Sequence, residues 1–131
     1  MARNRQSVVL LDTHIAVWLY AGLIEKISAD AKQAIDACDV LISPMVRLEL
    51  QYLFEIGRVT VKPDTIIKVL FTAIGLRVSE TPLQQIIEEA LKISWTRDVF
   101  DRLLSAEANI VGEGFITADE TIRSNLKLAI W

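Results

Sequence analysis

The chain has 131 residues, 52% of them apolar and 24% charged, which is material for one compact domain with a single core over residues 1–131 and too little for a second. A formal net charge of −3 excludes a broadly basic nucleic-acid coat, although net charge averages over a surface and leaves a single cleft free to accept phosphates. The lone Cys38 excludes an internal disulfide and a cysteine-rich metal site and points to a reducing cytoplasm; no window approaches the ~18 uninterrupted apolar residues of a membrane span, so a soluble protein is expected.

In chain order, the basic N-terminal MARNRQS is short, is followed by an apolar run interrupted at Asp12 and His14, and lacks a small-residue cleavage site, so no secretory signal is expected. VVLL at residues 8–11 is a solid aliphatic run, the pattern of a strand buried on both faces of a parallel sheet, and it ends at Asp12. HIAVWLYAGL then carries Ile15, Trp18, Leu19 and Leu23 at helical spacing and stops near Gly22. Ser28 caps a second helix, SADAKQAIDAC, and the following DACDVLIS makes Cys38 a core thiol. VLIS at 40–43 is the next buried strand, and Pro44 opens a helix that runs to Gly57 and contains Glu49.

A further helix, PDTIIKVLFTAIG, precedes an alternating strand at 76–80, LRVSE, and the helix TPLQQIIEEALKIS. DVFDRLLSAEANIVG is helical, with Asp98 as its cap, Asp101 in its first turn, Gly112 as its stop and Val99, Leu103, Ala106 and Ile110 on its apolar face. GFIT at 114–117 is a strand, DETIRSNL a short helix and KLAI a final edge strand. Alternating helices and short apolar strands indicate an α/β fold, a three-layer α/β/α sandwich around a mostly parallel sheet of about five strands.

Asp12, Glu49, Asp101 and Asp119 stand at element boundaries or one helix away from them, where lone carboxylates are costly to desolvate. In open α/β sheets ligands bind beyond the carboxyl ends of the strands at the point where strand order reverses, and Asp12 and Asp119 both follow strand ends. Four oxygen donors suit a hard divalent cation such as Mg2+, which activates water and offsets charge on a phosphodiester. Each acid alone has a bland alternative, since Asp at a strand end caps the next helix and Glu on a helix is usually solvated; the joint placement carries the argument.

His14, the single histidine, excludes a His-rich zinc site and a two-histidine phosphodiesterase and can orient Asp12 or a substrate. Ser43 and Thr117 are strand-end hydroxyls that serve either a ligand or local backbone. Arg47, Arg97, Arg102 and Arg123 lie near the acids in sequence and are candidates to neutralise a polyanion, although a solvated surface is the ordinary place for any one of them. Trp18, Tyr20, Tyr52 and Phe54 read first as core and second as a groove for a partner.

These residues together resemble the PIN-domain ribonucleases, specifically the VapC-type toxins of toxin–antitoxin pairs. The likeness covers nearly the whole chain and rests on VVLLDTHIAVW, on ISPMVRLEL, on DVFDRLLSAEA and on ITADETI. It implies that Asp12, Glu49, Asp101 and Asp119 are the acidic quartet, with Thr117 as an accompanying hydroxyl. It further implies endoribonucleolytic hydrolysis of single-stranded or structured RNA by metal-activated water with Mg2+ or Mn2+, a homodimer, and inhibition by a cognate antitoxin protein. Relatives often read His-Arg-Asp-Pro-Phe-Asp-Arg where this chain has Thr96 for the histidine and Val99 for the proline.

Two other classes stay open on the residues alone. One is a non-catalytic module of the same fold that binds RNA or protein. The other is a phosphoacceptor domain, against which stand the placement of the acids and the absence of a lysine closing a late strand, Lys127 being the nearest.

Overall fold

The computed structural model describes residues 7–131; the basic stretch before Ser7 lies outside the described residues. Strand β1 spans Val8–Leu11 and helix α1 Thr13–Ala21, followed by a short 3-10 turn at Ile24–Lys26 and by α2 at Ala29–Ala37. Then come β2 (Asp39–Ile42), α3 (Pro44–Glu55), α4 (Pro63–Ile74), β3 (Arg77–Val78), α5 (Leu83–Ala90), α6 (Val99–Val111), β4 (Phe115–Ile116), α7 (Glu120–Asn125) and β5 (Ala129–Ile130). The five strands form one sheet in the order β3-β2-β1-β4-β5, parallel at every junction. Parallel strands need crossover connections, and helices therefore cover both faces of the sheet.

The apolar run of β1 is central: Val9, Leu10 and Leu11 are at most 1% exposed and join Val40, Ile42, Phe115 and Ile116 in the main core. A smaller cluster of Ile86, Ala90, Ile93, Leu103 and Ala106 locks α5 to α6. Gly22 ends α1 at φ 75°, the left-handed region where a side chain is strained. Gly114 is required for space, since a Cβ there would lie 2.9 Å from Ile130 Cδ1 and 3.2 Å from Val9 Cγ1.

Three expectations are revised. The strand expected at 76–80 is two residues long, Arg77–Val78, because it pairs with β2 on one side and forms an edge of the sheet. Val99 is 63% exposed although Leu103 and Ala106 on the same helix are buried; as the first helical residue it projects past the end of α5's contact surface. Tyr52, read first as core, is 53% exposed. Among the described residues no helix is long and apolar enough to cross a membrane.

α6 also buries a polar pair that helical periodicity does not reveal. Glu107 is 0% exposed; one carboxyl oxygen bonds to the Ser79 hydroxyl, the other has no partner among the described residues, and neither does the hydroxyl of Ser105. A buried carboxyl with an orphan oxygen is destabilising relative to a neutral isostere. Glu107→Gln is therefore expected to raise stability by about 1 kcal/mol in denaturant titration, and a fall of the same size would show that the acid is satisfied by a partner.

Candidate metal centre

The backbone N–H of Asp12 donates to the Ile116 carbonyl at 2.9 Å, so the ends of β1 and β4 are clamped together. β2 and β4 flank β1, and the strand order reverses at β1, the place where such sheets open a crevice. Asp12, the N-cap of α1, is 9% exposed. Its Oδ1 accepts from the Thr13 N–H at 2.8 Å and its Oδ2 from the Thr117 hydroxyl at 2.7 Å. The same Thr117 oxygen accepts from the Asp119 N–H at 3.1 Å, and Asp119 caps α7 by accepting from the Ile122 N–H at 2.9 Å.

Glu49 reaches the site from α3, where its Oε1 accepts from the Thr13 hydroxyl at 2.5 Å. Asp101 comes from the first turn of α6, which packs on α3. Asp12, Glu49, Asp101 and Asp119, with His14, Ile15, Trp18 and Ala118, line one cleft of about 250 Å³. A larger hollow of about 680 Å³, lined in part by Val8, Cys38, Asp39 and Arg77, lies at the opposite, amino end of the strands and has no part in this cluster.

The acids disturb one another. Burial raises the Asp12 carboxyl above its usual range, against the hydrogen bonds from Thr117 and Thr13 that lower it. Burial also raises Glu49, opposed by the Thr13 hydroxyl and reinforced by Asp12. Asp101, whose carboxylate accepts no hydrogen bond from a described residue, is pushed up to about 7 by burial first and then by Asp98, Asp119, Asp12 and Glu49. Among the described residues no lysine or arginine lines the cleft, and His14 at its rim is the one basic side chain there that lowers Asp12 and Glu49.

This imbalance has a pH signature in metal-free protein. A carboxyl held at about 7 when folded and near 3.8 when unfolded binds more protons in the folded state. The stabilisation that protonation gives is complete below about pH 4 and is lost as pH rises through about 7. The melting temperature in EDTA is thus expected to fall from pH 5 to pH 8. Asp101→Asn is expected to flatten that slope and to recover ~1–2 kcal/mol at pH 8, allowing for solvent screening at a half-buried site; equal slopes in the two proteins would contradict it.

The donor set, four carboxylates and no internal cation, has the chemistry of a hard-cation site. As the side chains stand, no three acid or imidazole groups among the described residues converge closely enough to hold an ion. Like charges standing apart account for this, and a cation has to draw them together.

The remaining candidates separate. His14 is exposed at the rim of the cleft, while Ser43 lies away from it as the N-cap of α3, accepting from the Met45 N–H at 3.0 Å. Asp98 caps α6 by accepting from the Asp101 N–H at 2.9 Å. Arg47 is paired with Asp64 at 2.9 Å, and Arg102 donates to the Ala90 carbonyl at 2.9 Å. Arg97 and Arg123 are exposed and form no ion pair with a described residue. Thr96 accepts from the Asp98 N–H at 3.1 Å, giving the start of α6 its own local bond.

Thr13 is the residue that sequence reading passes over. It is fully buried and joins two of the acids, with its N–H on Asp12 and its hydroxyl on Glu49. The available signal was a hydroxyl directly after a strand-end acid.

Comparison with known proteins bears on the family and the fold. The family description "PIN domain" matches residues 9–125. The chain is 31% identical over 121 residues to Ribonuclease VapC22 of Mycobacterium tuberculosis (strain ATCC 25618 / H37Rv), covering 91% of this chain and 92% of that one. Its fold is similar, at a TM-score of 0.61, to a chain in the crystal structure of VapBC2 from Rickettsia felis bound to a DNA fragment from their promoter. That match covers 93% of this chain and 95% of the other at 14% identity, and bears on the fold alone. With the parallel sheet, the reversal at β1 and the acids gathered beyond it, these matches place the chain in the PIN domain family and, within it, in the VapC type.

Proposed function

We propose that this protein is an endoribonuclease that hydrolyses single-stranded or structured RNA with a divalent cation, Mg2+ or Mn2+, held by Asp12, Glu49, Asp101 and Asp119. We further propose that it acts in the cytoplasm as the toxin of a toxin–antitoxin pair. The observation that carries the reading is four carboxylates on one cleft at the sheet's reversal point with no lysine or arginine among its lining residues. The relative named a ribonuclease supports the activity, and the VapBC2 complex supports a protein partner.

When bound, the cation supplies the positive charge that makes water a nucleophile at neutral pH and offsets the charge developing on the phosphodiester. The chain's own part is placement. Thr117 and the Thr13 N–H fix both oxygens of Asp12, and the Thr13 hydroxyl fixes one of Glu49, so these two cannot swing away. Asp119 spends one oxygen capping α7, and Asp101 keeps both of its own free to turn toward an ion or a water. No serine, cysteine or histidine nucleophile is needed.

The antitoxin and a second copy of the chain have apolar surface available. Leu48, Tyr52 and Ile56 on α3 and its end, and Leu83, Ile87 and Leu91 on α5 and its end, are all exposed at i, i+4, i+8 spacing.

A non-catalytic RNA- or protein-binding module is the second reading, favoured by the lack of three acids converging as they stand. One assay separates the two. Purified, antitoxin-free protein is incubated with mixed single-stranded RNA in Mg2+, Mn2+ or EDTA. Fragments in the metal lanes alone are the result expected; intact RNA in every lane with folded protein selects the binding module.

A further inference from the structure

The cleft raises a difficulty for an RNA substrate: without a cation its carboxylates repel phosphates, the chain's net charge is −3, and of the arginines close to the acids in sequence Arg47 is occupied by Asp64 and Arg102 by the Ala90 carbonyl. Among the described residues few cations are left to hold a strand here, and uncharged contacts are a further source of binding.

One lies beside the acids. His14 and Trp18 line the cleft with the carboxylates. The Trp18 ring is 6.3 Å from that of His14 and 6.3 Å from that of Trp131, so the three rings form a row. The rings are tilted by 50° and 51° and are not stacked face to face. Trp18 and Trp131 rest on the core but are only half-buried. Beyond the cleft, Trp131 lines a neighbouring hollow of about 510 Å³ with Glu120, Arg123, Ser124 and Ala129. Arg123 stands with Trp131 in that hollow, whereas Lys26 Nζ lies over the Trp18 ring, 5.6 Å from its centroid, so that face of Trp18 is already covered.

We propose that His14 and Trp131, held on Trp18 between them, form a stacking platform for bases of a single-stranded RNA leaving the acid cleft, with Arg123 on its phosphates. Base stacking on aromatic rings is tolerant of sequence and needs no net positive charge, which suits this chain. A duplex keeps its bases stacked on each other and offers none to the rings. Single-stranded character is therefore selected next to the site of cleavage.

The inference rests on the ribonuclease reading, and the test keeps the two apart. A short fluorescein-labelled single-stranded RNA is titrated in EDTA with the unaltered chain, Trp131→Leu, Trp131→Phe and Arg123→Gln, and cleavage kinetics are measured in Mn2+. Trp131→Leu is expected to weaken binding about tenfold, with the loss falling on KM rather than kcat. Trp131→Phe should restore most of the affinity, because a ring remains. Quenching of tryptophan emission by unlabelled RNA should be reduced in Trp131→Phe, a signal that a purely structural side chain does not give. Arg123→Gln should reduce the salt dependence of binding, and this variant with Trp131→Phe carries the test if Trp131→Leu fails to fold.

Binding by Trp131→Leu and Arg123→Gln within about twofold of the unaltered chain, while the unaltered chain cleaves RNA, overturns the platform alone and leaves the row as core or as a face for a protein partner. Neither binding nor metal-dependent cleavage by the unaltered chain overturns the ribonuclease reading, and the platform with it.

Discussion

Asp12→Asn is expected to lower metal-dependent RNA cleavage by at least about a thousandfold, several kcal/mol of transition-state stabilisation, while the protein keeps its fold. The two halves of that statement come from different atoms of one side chain. Asparagine retains a carbonyl oxygen to accept from the Thr13 N–H, so the start of α1 stays capped. Its amide nitrogen then stands where Oδ2 accepts from Thr117, and the threonine hydroxyl can rotate to accept instead. The formal charge is lost, and with it the anchor of the quartet, since Asp12 is the acid held at both oxygens. In EDTA the variant is expected to melt no lower than the unaltered chain at pH 8, because one of the mutually repelling carboxyls is gone. Circular dichroism melting and gel-resolved cleavage read the two halves separately; cleavage within tenfold of the unaltered chain would remove Asp12 from the site.

Phe115→Ala is expected to be the most destabilising of the substitutions considered, at about 3–5 kcal/mol. Phe115 is 1% exposed in β4, a strand of two residues paired with β1 on one side and β5 on the other. Its ring is part of the main core, with Leu10 and Ala129 as its register partners in the neighbouring strands, and removing it leaves a cavity that so short a strand cannot collapse to fill. For a domain of marginal stability the loss amounts to a drop of at least ~10 °C in melting temperature. Cleavage should fall as well near the new transition, because β4 delivers Thr117 and Asp119 to the cleft. A drop of only ~2 °C would mean that the core rearranges around the vacancy.

The contrast between these two positions shows what was legible in the sequence. VVLL announced a doubly buried parallel strand, and a charge at its end had to sit at the sheet's carboxyl edge, so Asp12 was found from pattern alone. Asp119 followed from the same rule, whereas Glu49, about two turns into the helix after the second strand, was placed only as able to reach the same crevice. The Thr13 to Glu49 hydrogen bond was not legible, because it depends on α1 and α3 lying side by side. Trp131 meets Trp18 of α1 from far along the sequence, and Glu107 reaches Ser79 from another element; neither contact leaves a local trace. Val99 misled because periodicity counts a residue toward a helix face even where the neighbouring helix has ended. The replacements at Thr96 and Val99 are accommodated, the first by a local hydrogen bond and the second by exposure to solvent.

The acids make one claim together, that they form a single cation site that cuts RNA, and the cleavage of an end-labelled single strand in Mn2+ by a set of amide variants tests it most directly. Glu49→Gln, Asp101→Asn and Asp119→Asn should each lose most of the activity, whereas Asp98→Asn, which preserves the cap on the Asp101 N–H, should retain it. The fragments should carry no 2′,3′-cyclic phosphate, since water and not the ribose hydroxyl attacks. Undiminished cleavage in the three quartet variants, or cyclic-phosphate ends that persist in EDTA, would contradict the assignment.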